Sequence, residues 1–411
     1  MLLRITTVSV ISSLTFACAA GSDDGTSSTA GGGVAWTTVT GAGGASAGGS
    51  HNDGGGGRGT GGSGEGGRPT TSGGGGAGGG PREADRALLL GVGARSVLTG
   101  TFDSQNGWTT GTLTGGSLDR PAITMRGQND AVAMFRNAGN LAFTTFDGSG
   151  WSATANVGGS ITTRATPALV SNSATAFAVF HGDNFLHYFS AYTASFNPSN
   201  ESVGSPQSFG PSAGSIALLG SDVVIAYAGS DGDLYDQRRS GGVWQTGSAH
   251  GLGDVVALTP AIVTLDSNQL LVVYVHEVTQ AVTFTIGTGS VWSTATAIAD
   301  ALTVDPVALT ALPGGKAMAA FRGTDGQAYA MTFDVAPTPI WSAPLPIASP
   351  NPTTPSTPAV APGVGSQEAE LAFVDAATGA ASHVRWSGSS WSTPTLVGGS
   401  GLTGVAIATL P

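Results

Sequence analysis

Phe321-Arg322-Gly323-Thr324-Asp325-Gly326-Gln327-Ala328-Tyr329 reads as a strand end, a tight polar turn and a strand start. Asp and Gly tolerate the tight and left-handed backbone that hairpins need, while Phe and Tyr suit the pleated surfaces on either side. Variants of this stretch recur. They are Phe135-Arg136-Asn137-Ala138-Gly139-Asn140-Leu141, Phe180-His181-Gly182-Asp183-Asn184-Phe185-Leu186-His187 and Tyr227-Ala228-Gly229-Ser230-Asp231-Gly232-Asp233-Leu234-Tyr235. A hairpin repeated through the chain means one small unit repeated through the fold.

Each turn sits in a fixed order of strands. In residues 121–157 the first strand is Pro121–Arg126, the second Ala131–Phe135 and the third Leu141–Phe146. A fourth opens at Gly150-Trp151 and closes at Val157. The short apolar runs alternate with polar residues, the period of a half-buried strand. The same order starts again at Pro167, Ser215, Pro260, Pro306 and Pro358. The closing aromatics are Trp108, Trp151, Phe196, Trp244, Trp292, Trp341 and Trp391, 43–50 residues apart. Four strands at that period predict an all-β propeller.

The ends of the repeat region set the blade count. Residues 86–116 supply a second strand (Ala87–Val92), a third (Ser96–Phe102) and a Trp-led fourth (Trp108–Leu113). The missing first strand lies at the far end, within Gly404–Pro411. Six complete repeats and one shared between the two ends make seven blades. Pairing those ends closes the ring and leaves no open sheet edge.

Composition narrows the function. Charged residues are 10% of the 411, and the net charge is −11. A phosphate backbone or an anionic membrane attracts the opposite sign, so neither nucleic acid nor a basic-patch membrane contact is expected. The single cysteine, Cys18, excludes internal disulfides and cysteine metal clusters, and no cofactor is expected.

Residues 1–17 combine Arg4, a short apolar run and small residues at the end, the form of an export signal. Residues 18–85 hold all 27 glycines that precede the repeats and almost nothing apolar. Such a stretch cannot offset its ordering entropy, so a disordered tether is predicted, followed by the propeller over 86–411. Gly44-Ala45-Ser46-Ala47-Gly48 falls in this tract, without the strand and helix that a nucleophile elbow requires.

Two resemblances follow from these residues. Ala17-Cys18 at the end of the signal resembles a bacterial lipoprotein signal, in which the Cys becomes lipid-modified. It implies a lipid-anchored protein of the cell envelope, in the outer membrane; the alternative is plain secretion. The run Phe-Arg-Gly-Thr-Asp-Gly-x-Ala-Tyr, with a later turn into Trp-Ser, resembles the repeat of the propeller lectins, the fucose-specific type and related seven-bladed bacterial lectins. That resemblance covers residues 86–411 and implies sugar binding between neighbouring blades. The matching positions are Arg136, His181 and Arg322 after the second strand, with Asp183, Asp231 and Asp325 in the turn. His187, Tyr235, Tyr329 and His383 begin the third strand. Ala228 replaces the Arg in one blade, and Val374-Asp375 replace Arg-Gly in another. The turns Asp103–Trp108 and Asp147–Trp151 resemble Asp-box turns.

The expected function is therefore non-enzymatic glycan binding, by Arg322, Asp325, Tyr329, Arg136, His181, Asp183 and His187. The alternatives are a cell-surface scaffold for a protein partner and, less favoured, a glycosidase. The last needs an arginine cluster and a paired acid and nucleophile, and the few arginines here are scattered.

Overall fold

The computed structural model describes residues 86–409, apart from 117–118, 128, 159–160, 164, 173, 183–186, 193–194, 197–213, 246–247, 250–255, 257, 266–268, 289–290, 365 and 367. For 187 and 248–249 it describes the backbone alone. The export segment, Cys18 and the Gly-rich tract lie outside the described residues.

The described residues form seven antiparallel sheets and no helix. In chain order they are blades 1 to 7. Blade 1 runs outward through Leu402–Thr409, Arg86–Gly93, Ser96–Asp103 and Gly107–Thr114. Blade 2 is Ala122–Gly127, Asp130–Asn137, Asn140–Phe146 and Ala155–Asn156. Blade 3 is Ala168–Ser171, Ala176–His181 and His187–Ala191. Blade 4 is Ser215–Leu219, Asp222–Ala228, Leu234–Ser240 and Val243–Trp244, with Ser248–Ala249 beside its third strand. Blade 5 is Ala261–Thr264, Leu270–Val275, Ala281–Gly287 and Thr296–Leu302. Blade 6 is Ala308–Leu312, Lys316–Arg322, Ala328–Asp334 and Ile340–Trp341, with Leu345–Pro346 beside its third strand. Blade 7 is Ala359–Pro362, Ala369–Val374, Ala381–Trp386 and Thr395–Gly398.

The shared blade forms as the sequence predicts. Arg86–Gly93 pairs with Leu402–Thr409 on one side, from Ala87↔Thr409 to Gly93↔Leu402, and with Ser96–Asp103 on the other. The inner strands then follow one another around a central channel.

The second strands depart from the expected alternation. Asp222–Ala228, Leu270–Val275 and Ala369–Val374 are buried along their whole length. Blades pack face to face, so both faces of a second strand meet protein and both must be apolar. This is why Leu88-Leu89-Leu90, Val223-Val224-Ile225 and Leu271-Val272-Val273 read as continuous runs. Period two survives in the choice of neighbour. In blade 6, Ala317, Ala319 and Phe321 join the core shared with blade 5. Met318 and Ala320 join the core shared with blade 7. Alanines lie opposite bulky side chains, which lets the twisted sheets approach. The outer strands face water, as in Gly107–Thr114 and Thr296–Leu302.

The Trp-led fourth strand is also more specific than expected. In blades 2, 5 and 7 the Trp makes an isolated bridge to the end of the third strand, and the fourth strand starts some residues later. The Ser after it explains the break. Ser152, Ser293, Ser342 and Ser392 each donate a backbone N–H to a third-strand carbonyl at 2.8–2.9 Å. Each then accepts the N–H of that same third-strand residue on its hydroxyl at 3.0 Å. The side chain substitutes for a ladder carbonyl and lets the chain turn out of the sheet. Some Trp rings pack on third-strand aromatics of their own blade, at 5.0 Å for Phe333–Trp341 and 5.5 Å for Phe146–Trp151, and some reach the preceding blade, as Trp244 does to Phe189 at 5.4 Å and Trp341 to Phe284 at 6.0 Å.

Ser342→Ala leaves the Thr332 N–H without its acceptor and is expected to lower stability by about 1 kcal/mol in urea unfolding. Ser389→Ala, in an exposed turn, is expected to change it by less than about 0.5 kcal/mol.

Candidate functional site

The Phe321–Tyr329 stretch joins the second and third strands of blade 6. Phe321 and Tyr329 are a cross-strand pair with stacked rings, centroids 5.7 Å apart. The Tyr329 hydroxyl donates to Asp325 Oδ2 at 2.7 Å, and the Gln327 N–H to Asp325 Oδ1 at 3.0 Å. Gly323 N–H closes the turn on Gln327 O at 2.8 Å. Only Gly fits at 323, because a Cβ there would lie 2.7 Å from Asp325 Oδ1 and 2.8 Å from Tyr329 Cε2. The local sequence thus builds a tyrosine–aspartate pair standing on a hairpin.

Arg322 completes the group from below. Its Nε donates to Thr354 O at 2.7 Å and its Nη1 to Asp305 Oδ2 at 3.1 Å. Nη2 is left for a ligand among the described residues, and about 29% of the side chain is exposed. Asn351 lies beside the Tyr329 hydroxyl, near enough to act on its ionisation. Both polar atoms of the Asn351 amide are buried. Guanidinium, carboxylate, phenol and amide therefore converge at one end of blade 6, against the segment that leads to blade 7.

The copies of this turn are each missing a part. Blade 4 repeats the hairpin bond for bond: Gly229 N–H to Asp233 O at 2.8 Å, and Tyr235 hydroxyl to Asp231 Oδ2 at 2.6 Å. Its Tyr227 and Tyr235 rings stack like those of Phe321 and Tyr329. Ala228 stands where Arg322 stands, so the cation is absent. Blade 2 keeps the cation, with Arg136 Nη1 on Asp119 Oδ2 at 2.8 Å. Its turn is a two-residue hairpin, Ala138 at φ 50° and Gly139 at φ 91°, between paired Asn137 and Asn140. That turn carries neither the Asp nor the Tyr. In blade 3, His181 is buried at the end of the second strand, and its carbonyl accepts the Thr163 hydroxyl at 2.7 Å. His187 pairs with it in register at the start of the third strand. Asp183 and Cys18 lie outside the described residues. Arg136, His181 and Arg322 thus belong to three blades and form no single constellation.

A second group went unrecognised in the sequence, apart from His383. Between blades 7 and 1, Glu370 is fully buried and its carboxylate is saturated. It accepts from Val364 N–H at 3.0 Å and from Arg385 Nε at 3.1 and 3.2 Å, and meets His383 Nε2 at 2.8 Å. Phe102 and Trp108 of blade 1 cover the His383 ring, with centroids 5.2 and 5.1 Å away. Every carboxylate oxygen is engaged within blade 7, and the cluster meets blade 1 through the His383 ring and through Arg385, which lies 5.2 Å over the Phe102 ring. Asp103 and Asp147 are structural as well: each accepts backbone N–H groups two and three residues on. The Ser149 hydroxyl, then those N–H groups, pull Asp147 down to about 2.

No family model matches the chain, and no curated protein does. Solved structures share its fold. The BP39L lectin of Burkholderia pseudomallei aligns with a TM-score of 0.63 at 15% identity, over 77% of this chain and 96% of the lectin. AofleA of Arthrobotrys oligospora aligns with a TM-score of 0.51 at 9% identity, over 79% of this chain and 92% of that protein. The chain therefore has the propeller architecture of these proteins.

The tyrosine–aspartate pair has a titration signature. Donation to Asp231, then burial, pushes Tyr235 up to about 12, while the same bond lowers Asp231. Tyr329 is raised likewise, first by Asp325. A raised tyrosine favours the neutral form in the fold; its stabilisation is complete below about pH 10 and lost as the pH rises through about 12. In a tyrosinate absorbance titration, Asp231→Asn is expected to bring Tyr235 back toward about 10. An unchanged high-pH transition in that variant would show the pair to be unimportant.

Proposed function

We propose that this chain is a non-enzymatic, carbohydrate-binding propeller and that its sugar seats at the blade 6 turn. The observation that carries the reading is the meeting of Arg322 Nη2, the exposed Asp325 carboxylate and Tyr329 in one blade. A sugar presents vicinal hydroxyls to charged donors and acceptors, and an apolar face to a ring. The lectin fold of the structural relative supports the same class of ligand. One complete copy among the described residues implies weak binding per chain, strengthened where many chains are displayed together.

The location is part of the proposal. The signal-like residues 1–17 and Cys18 support a position on the bacterial cell envelope, with acyl chains contributing about 0.8 kcal/mol per buried methylene.

Two experiments test these statements. On a glycan array, the purified chain is expected to bind a defined subset of glycans, and Arg322→Ala to weaken that binding at least about tenfold. The Arg322–Asp305 pair is partly exposed, so its loss is expected to cost about 0–1 kcal/mol of stability. No glycan bound at high protein density would defeat the sugar reading, and a stoichiometric protein partner insensitive to sugars would replace it. For the anchor, cells fed a clickable fatty acid are expected to label the wild type. Cys18→Ser should abolish the label and move the chain to the soluble fraction; label retained by that variant would exclude Cys18 as the lipid site.

A further inference from the structure

The central channel carries a feature that the blade turns do not use. A cavity of about 550 Å³ opens at one mouth, and a second of about 640 Å³ lies toward the other. Ile123, Leu169, Leu309, Val360 and Ile407 line both, so the two are continuous through an apolar waist. In the first cavity, Asp119 and Arg120 are the ionisable side chains among the described lining residues. Asp119 is held by Arg136 at 2.8 Å. Arg120 is the cation of the first cavity, and Arg126, which lines the second, is paired with Asp130.

Arg120 breaks the pseudo-symmetry of the ring. The residue before the proline that opens the blade is Thr166 in blade 3, Thr259 in blade 5, Asp305 in blade 6 and Thr357 in blade 7. In blade 2 it is Arg120. Its side chain crosses the inner strand of blade 1 at Gly404, where an added Cβ would lie 3.0 Å from Arg120 Cα and Cγ. Beyond it, Nη2 donates to Pro358 O of blade 7 at 3.2 Å. Nε is buried and has no acceptor. Burial pulls the guanidinium down to about 10, and the Asp305 charge opposes that fall. At neutral pH it is still a cation, with one donor unsatisfied. A buried unsatisfied donor on a charged group is costly, and an oxyanion supplies the missing acceptor.

We infer that the channel mouth is a binding site for an aliphatic carboxylate, with its carboxylate on Arg120 and its chain along the apolar waist. The occupant follows from the two halves of the site. A polyol finds no polar partner at the waist, and an alkane leaves Arg120 as it is. A carboxylate with an apolar chain matches both. This inference stands apart from the sugar reading, which uses Arg322, Asp325 and Tyr329.

Isothermal titration of the full chain with octanoate and with octanol tests it. Octanoate is expected to bind one molecule per chain, at least tenfold more tightly than octanol. Arg120→Gln is expected to bring octanoate to the octanol level, and Arg120→Lys to keep part of the difference. Equal affinities for the two probes in the wild type would overturn the site, as would undiminished octanoate binding in Arg120→Gln. A melting temperature lowered in Arg120→Gln, with octanoate binding intact, would make Arg120 only a strap across blades 1, 2 and 7. Where Arg120→Gln does not fold, the wild-type comparison and Arg120→Lys still decide. Glycan binding is expected to be unchanged in both variants, which separates this site from the one at blade 6.

Discussion

The ladder between Leu402–Thr409 and Arg86–Gly93 is the constraint on which the rest of the structure depends. A ring of seven sheets has no independent core; each junction is shared by two blades. The core between blades 7 and 1 takes Leu402, Val405 and Ile407 from one end of the chain and Ala87 and Leu89 from the other. Val405 and Leu89 are wholly inaccessible to water there. Without the closing ladder, that junction opens, and an edge of apolar strand faces solvent. The Glu370–His383–Arg385 cluster sits in the same junction, covered by Phe102 and Trp108. The seam of the ring therefore also holds a buried carboxylate with all its oxygens engaged.

Packing between sheets accounts for much of the composition. Each fully buried aliphatic or aromatic side chain contributes about 1.5–3 kcal/mol relative to exposure. The second strands supply these in rows, with alanines opposite them to admit the neighbouring sheet. Charge has little place in such interiors. It collects where strands end, as in the pairs Arg136–Asp119 and Arg322–Asp305, each spanning the same 17 residues. Those pairs fix the first strand of a blade to the end of its second. The two arginines therefore position the fold as well as offering a free nitrogen.

The repeat was legible because hairpin chemistry is local. Gly323, Asp325 and Gly326 sit within four residues of one another, and the stacked Phe321 and Tyr329 flank them. The split blade was legible because strands without partners are conspicuous in a period of four. The partners of Arg322 were not legible. Asp305 precedes the first strand and Thr354 follows the last, so only the folded blade brings them together. Glu370 and Arg385 went unread for a similar reason. They alternate with apolar residues and look like solvent-facing positions, yet they face the next blade. The serines after Trp151, Trp292, Trp341 and Trp391 carry no signal of their own in the sequence, yet their hydroxyls are part of the ladder. Blade 3 was the faintest copy in sequence. Its histidine at the Arg position is buried rather than presented to a cleft.

The closing ladder also decides how the propeller bears load. Arg86–Gly93 is clasped on both sides, with seven register pairs to each neighbour. Hydrogen bonds between strands run across the strand axis. Tension that reaches residue 86 and pulls along this strand therefore shears both ladders at once and cannot peel them one bond at a time. Failure under force is governed by the unfolding rate rather than by equilibrium stability. A propeller held at this point behaves as a mechanical clamp, and the strand that completes its circle is also the one that resists being drawn out of it.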